Sequence, residues 1–185
     1  MKIIALFLLS IQTWASDVTT LKGLDMVSGQ KIEINQQVFD EYKATVILFL
    51  SARCPCSNSH ISEIKDLRKM YGQQIKFLAI HSNQNESFVE AQKYFKEIDL
   101  GFSVIFDEDA LIADSFKAFK TPHAFLLNTQ GNVIYRGGVS SSQHFSPNVK
   151  KYLRDVLSDV VNGQKVRMSE SKSLGCVILR KKDIE

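Results

Sequence analysis

Cysteine, proline and tryptophan are scarce in this chain: three, three and one in 185 residues. So few cysteines exclude a small disulfide-stapled scaffold. Staples are not required either, because a chain of this length hides roughly 70% of its unfolded surface in its own core. Charge of one sign is also missing. Lys and Arg number 23 against 20 Asp and Glu, for a net +3, and the basic residues are scattered apart from a short run at Arg180–Lys182. With no basic stripe interleaved with aromatics, nucleic acid is not an expected partner. No glycine-rich phosphate loop follows a strand-like run, so no organic cofactor is implied. Beyond the first eleven residues no apolar run could span a bilayer.

The N-terminal stretch differs. "MKIIALFLLSIQTWA" carries one positive residue, an apolar run from Ile3 to Ile11, then small residues at Thr13 and Ala15. This reads as a secretory signal over 1–15, with an uncleaved anchor as the alternative. The mature chain is then exported, to the periplasm in a Gram-negative bacterium, where cysteines can be oxidised. Three is an odd number, so at least one thiol is free, exchanging or paired between chains.

The rest alternates strand and helix patterns. Leu21 to Ile34 reads as a hairpin turning at Ser28-Gly29. "KATVILFLS", Lys43 to Ser51, is a strand buried on both faces. From Pro55 to Tyr71 the apolar residues are helically spaced, with Glu63, Lys65, Asp66, Arg68 and Lys69 on the wet side. Ile75–Ser82 and Phe102–Asp107 are further strands. A helix capped by Asn85 or Ser87 lies between them, and a short helix over Ile112–Phe119 follows. His123 to Gly138 is a hairpin turning at Gln130-Gly131, and Ser146-Pro147 opens a last helix with Val149, Leu153, Val156 and Val160 buried. The expected architecture is an α/β three-layer sandwich: a mixed central sheet with an N-terminal hairpin extension. Residues 16–162 form the domain and 163–185 a C-terminal tail.

The chemistry concentrates in "FLSARCPCSNSH", Phe49 to His60. Cys54 ends a strand and Pro55 suits the first helical position, so Cys54 is expected at the N-cap, on an exposed turn. Helix amides, the helix dipole and neighbouring Arg53 favour its thiolate, which is the nucleophile. Cys56 lies one residue further on. Residues two apart in a helix point about 200° apart, so the spacing leaves open whether Cys54 and Cys56 bond to each other. The third thiol, Cys176, sits in "KSLGCVILRKK", where three apolar residues imply a tail that docks on the domain.

These motifs resemble the thioredoxin-like superfamily, in its alkyl hydroperoxide reductase and redoxin branch. "ILFLSARCPCS" is similar to the strand and active-site turn of that fold, "KTPHAFLL" to its cis-proline loop, "GNVIYRGGV" to its closing hairpin, and the late Gly-Cys to the tail of a redoxin subgroup. The resemblance implies Cys54 as nucleophile, Cys56 or Cys176 as resolving thiol, Pro122 in cis, and Thr121 and Pro122 holding an extended substrate segment. It also has departures. Ser57 stands where thioredoxin has its second cysteine. Ser51 stands where peroxiredoxins place a peroxide-positioning hydroxyl, but Ile47 replaces their earlier proline. The expected activity is that of an exported thiol–disulfide oxidoreductase acting on protein thiols or disulfides, reset by a thiol reductant. One alternative is a peroxidase. Another is a copper module resembling the Sco-type chaperones, built from Cys54, Cys56 and His60 or His123. His60 is otherwise a solvated helix residue, and His81 and His144 are structural or surface residues.

Overall fold

The computed structural model describes residues 20–184; residues 1–15, expected to be a secretory signal, lie outside the described residues. Nine strands and five α-helices are found among them. In chain order these are β1 (Thr20–Asp25), β2 (Lys31–Asn35), α1 (Gln36–Asp40), β3 (Ala44–Phe49), α2 (Pro55–Tyr71), β4 (Ile75–His81) and α3 (Phe88–Ile98). Then follow β5 (Val104–Phe106), α4 (Leu111–Ser115), β6 (Lys120–Thr121), β7 (His123–Leu127), β8 (Val133–Gly137), α5 (Tyr152–Val161) and β9 (Cys176–Val177).

The main sheet runs β2-β1-β5-β4-β3-β7-β8. Strands β3, β4 and β5 are parallel; β1, β7 and β8 join antiparallel, which makes the sheet mixed. Every residue of β3 is buried, as a central strand covered on both faces requires. One face packs against α2, α3 and α5 through Ile64, Leu67, Ala91, Phe95, Leu153 and Val156. The other packs against α1, α4 and the tail through Phe39, Ala113, Phe116 and Ile178. The two faces give the three layers expected.

Helix α2 begins at Pro55, where a missing N–H costs nothing, and ends with Arg68 and Lys69 against its negative pole. Glu63 is not on the wet side as its spacing suggested. It is buried and takes both Arg154 nitrogens at 2.8 Å, bolting α2 to α5. The last helix does not open at Ser146-Pro147. Lys150 exchanges hydrogen bonds with Ser141 through its amide and carbonyl, which ties residues 146–150 into a loop, and α5 starts at Tyr152.

The tail is laid down as a strap. Its amides and carbonyls pair with β8 through Ser169 and Ser171, and with residues 84 and 119 through Leu179 and Ile178. Ile178 is fully buried, and Arg180 reaches the Asp114 carboxylate and the Ala118 carbonyl. Strand β9 pairs antiparallel with β6, Thr121 opposite Cys176.

Candidate active site

Two segments converge on the C-terminal end of β3. Cys54 caps α2 in extended backbone, and its Sγ accepts the Ser57 amide at 3.4 Å. Facing it is the Thr121-Pro122 peptide, which is cis. The Cys54 thiol donates to the Thr121 carbonyl at 3.1 Å. Because Cys176 is paired with that same Thr121, the tail brings its thiol to the turn. The sulfurs of Cys54, Cys56 and Cys176 all lie within 4.8 Å of one another, each as a free thiol. Gly175 is what lets the strap pass so close: a Cβ there would collide with the Thr121 carbonyl.

Packing the tail over the turn changes its exposure. Cys54 is 2% exposed and Cys56 8%, against the exposed turn expected, because β9 covers what would otherwise be an open helix N-terminus. Burial acts to raise the Cys54 thiol, but hydrogen bonds from Cys176 and the Ser57 amide outweigh it and hold it below the ordinary thiol value. Cys56 is raised by burial and by the adjacent Cys54 charge. Cys176 is pushed up to about 12 by burial and by the hydrogen bond and charge of Cys54. One thiol is prepared to ionise and its two neighbours are prepared to stay protonated.

The other predicted residues have different surroundings. Ser57, in the place of a second thioredoxin cysteine, is fully buried, and its hydroxyl accepts the Ser51 amide at 3.4 Å. The Ser51 hydroxyl donates to the Glu86 carboxylate. The Arg53 guanidinium pairs with Glu90 at 2.6 Å on the surface. His60 is buried rather than solvated: Nδ1 contacts the Cys56 carbonyl at 2.7 Å and Nε2 the Ser140 hydroxyl at 2.8 Å. Both its nitrogens are hydrogen-bonded, and its ring is not grouped with the cysteine sulfurs. His123 is buried against Phe119 and Phe125 on the opposite side of the sheet, lining a separate cavity of 550 Å³. Burial and Arg136 lower its pKa to about 4, so it is neutral. Neither histidine joins the sulfur cluster. His81 is fully buried and His144 exposed.

Sequence reasoning missed Glu86. Its carboxylate takes the Ser51 hydroxyl, the Ala52 amide at 2.9 Å and the Arg53 amide at 3.3 Å, with His81 Nε2 at 3.9 Å. It therefore fixes the backbone leading into Cys54. A lone acid in the polar loop "SNQNES" gave no local signal of burial.

Comparison with known proteins agrees with this fold. An uncharacterized conserved protein from Geobacillus kaustophilus has 23% identity and a TM-score of 0.80, over 90% of this chain and 92% of that one. A hypothetical protein from Sinorhizobium meliloti has 23% identity and a TM-score of 0.78, over 90% and 93%. A secreted disulfide oxidoreductase from Mycobacterium tuberculosis has 14% identity and a TM-score of 0.56, over 77% and 95%. No curated protein matches the sequence. At these identities the structures establish a thioredoxin-like fold. The family model of the AhpC/TSA family matches residues 15–136, two thirds of the sequence, and the chain belongs to that family.

Proposed function

We propose that the protein is an exported thiol–disulfide oxidoreductase in which Cys54 attacks and Cys176 resolves. The observation that carries this reading is the pairing of Cys176 with Thr121, which sets the tail sulfur beside the one thiol whose ionisation is favoured. The Cys54 thiolate attacks one sulfur of a substrate disulfide. A Cys54–substrate disulfide forms and the other substrate sulfur departs as a thiolate. That step consumes the negative charge on Cys54, one of the causes that hold Cys176 protonated. Cys176 then loses its proton to the departing thiolate and attacks Cys54. A Cys54–Cys176 disulfide forms and the second substrate thiolate is released. Two electrons have passed from the protein to the substrate, and an external thiol reductant restores both cysteines. Cys56 remains a third, protonated thiol in this scheme.

Several sequence features support the setting. The first fifteen residues read as a signal, and among the described residues no helix is long and apolar enough to cross a membrane. A similar structure is that of a secreted disulfide oxidoreductase. Thr121 and Pro122 offer backbone for an extended substrate segment, but the tail already pairs with Thr121. A peptide therefore reaches Cys54 only when β9 opens. The burial of Cys54 also favours a second reading, in which the oxidant is a peroxide small enough to enter beneath the tail. Cys54 then becomes a sulfenic acid with release of hydroxide, and Cys176 condenses with it, releasing water.

Reduction of insulin disulfides with dithiothreitol as reductant tests the first reading. Wild-type protein should accelerate it, Cys54→Ser should not, and Cys176→Ser should accumulate a Cys54–substrate adduct. Equal rates with wild-type and Cys54→Ser would end this reading. Peroxide consumption by reduced protein, without insulin turnover, would establish the second.

A further inference from the structure

The three sulfurs form more than two candidate disulfides; together they form a converging set of soft donors. We propose that reduced Cys54, Cys56 and Cys176 bind one Cu(I) ion as a three-thiolate site, closed by the docked tail.

The dimensions fit. A d10 ion holds thiolate sulfur at about 2.3 Å, and three sulfurs spaced evenly around it in a plane then stand about 4.0 Å apart by the same bond length. Here all three separations are 4.8 Å or less. The remainder to be closed is at most about 0.8 Å per pair. The donors come from three kinds of support. Cys54 is fixed at the cap of α2, Cys56 in its first turn, and Cys176 in a strand register against Thr121. Cys176 is the only one of the three that is not buried, so it is the rim through which an ion would enter.

The surroundings select the metal. Nearby imidazoles and carboxylates are hydrogen-bonded or turned toward other surroundings. Both His60 nitrogens are hydrogen-bonded, and His123 faces another cavity. Glu86 accepts from Ser51, Ala52 and Arg53. The set is therefore sulfur alone, and three-fold. Zinc seeks a fourth ligand in a closed structural site, whereas Cu(I) is selected by soft thiolates and is satisfied by two or three of them. The Ser57 amide and the positive end of α2 offset part of the negative charge that three thiolates bring. Metal loading is not a redox step here: Cu(I) enters as Cu(I), and thiol protons leave to solvent.

The test is an anaerobic titration of the reduced full chain with Cu(I) in competition with bicinchoninate. The proposal expects one Cu(I) per chain, an ultraviolet thiolate-to-copper band, and three sulfur neighbours by X-ray absorption. Cys176→Ser and Cys56→Ser should each weaken retention at least tenfold and lower the sulfur count to two, with an unchanged circular dichroism spectrum as the control for folding. X-ray absorption on wild-type protein is independent of any variant's folding. Three outcomes overturn the proposal: bicinchoninate keeping all the copper, a wild-type site with fewer than three sulfurs, or tighter retention of Zn(II) than of Cu(I) in parallel competitions. Insulin turnover without copper retention would sink this inference and leave the oxidoreductase reading standing. Copper retention without turnover would do the reverse.

Discussion

At Cys54, burial and hydrogen bonding pull the thiol in opposite directions, and the hydrogen bonds prevail. The folded value is held below that of an ordinary thiol, so the thiolate persists to lower pH than in an unfolded chain. Iodoacetamide labelling of Cys54 in a Cys56→Ser/Cys176→Ser background, where the serine hydroxyl still donates, should rise with pH around a midpoint below the free value. A midpoint at or above it would remove the nucleophile assignment. Glu86 acts on the same residue at one remove. Glu86→Ala strands the buried Ser51 hydroxyl, at about 1–3 kcal/mol, and removes the acceptor of the Ala52 and Arg53 amides, which lie nearer solvent. Urea unfolding should show a loss of about 1–3 kcal/mol, and Cys54 should label at an altered rate in the native state. An unchanged midpoint and rate would show that the turn does not depend on the carboxylate.

Among the elements, the strap over 163–184 decides what the site can meet. Besides its backbone pairing, its hold includes the buried Ile178, the close passage at Gly175 and the Arg180 guanidinium on Asp114. Gly175→Val drives a branched side chain into the Thr121 carbonyl and should lift β9 from β6. Cys54 should then react with a bulky disulfide reagent at least tenfold faster, while the rest of the domain keeps its unfolding midpoint. An unchanged rate would show that β9 does not guard the thiol. The main strands, α2 from Pro55 to Tyr71 and the turns at Gly29 and Gly131 were legible in the sequence, because apolar period, proline and glycine are local signals, while the cis-Pro122 loop came from the family resemblance of its motif. What was not legible depended on distant partners. Glu63 looked solvated until Arg154 arrived from 91 residues away. His60 looked solvated until Ser140 and the loop before α5 closed over it. The two-residue strands β6 and β9 are too short for any periodicity. Their pairing, which assembles the sulfurs, is a fact of tertiary structure. The docking of the tail was foreseeable only from Val177, Ile178 and Leu179 standing together after a polar stretch.

For the whole molecule, three imidazoles are buried and held below their ordinary values: His60 and His81 by burial, and His123 by burial and Arg136, to about 4. Below a pH of about 6.5 the unfolded chain binds protons that the folded chain refuses, so stability is complete above that value and falls as pH drops toward 4. For His123 alone the span corresponds to roughly 3 kcal/mol at 1.36 kcal/mol per unit. Urea midpoints measured from pH 7.5 to 4.5 should decline, and His123→Phe should flatten the slope. A midpoint that rises on acidification would contradict the buried neutral histidines. The central claim, that Cys54 and Cys176 exchange electrons as a pair, is tested most directly by mapping disulfides. Reduced protein is treated with one equivalent of a small disulfide oxidant, alkylated in acid, digested and analysed by mass spectrometry. The predicted result is a peptide joining Cys54 to Cys176, with Cys56 alkylated. A Cys54–Cys56 disulfide with Cys176 alkylated, or bonds only between chains, would contradict it.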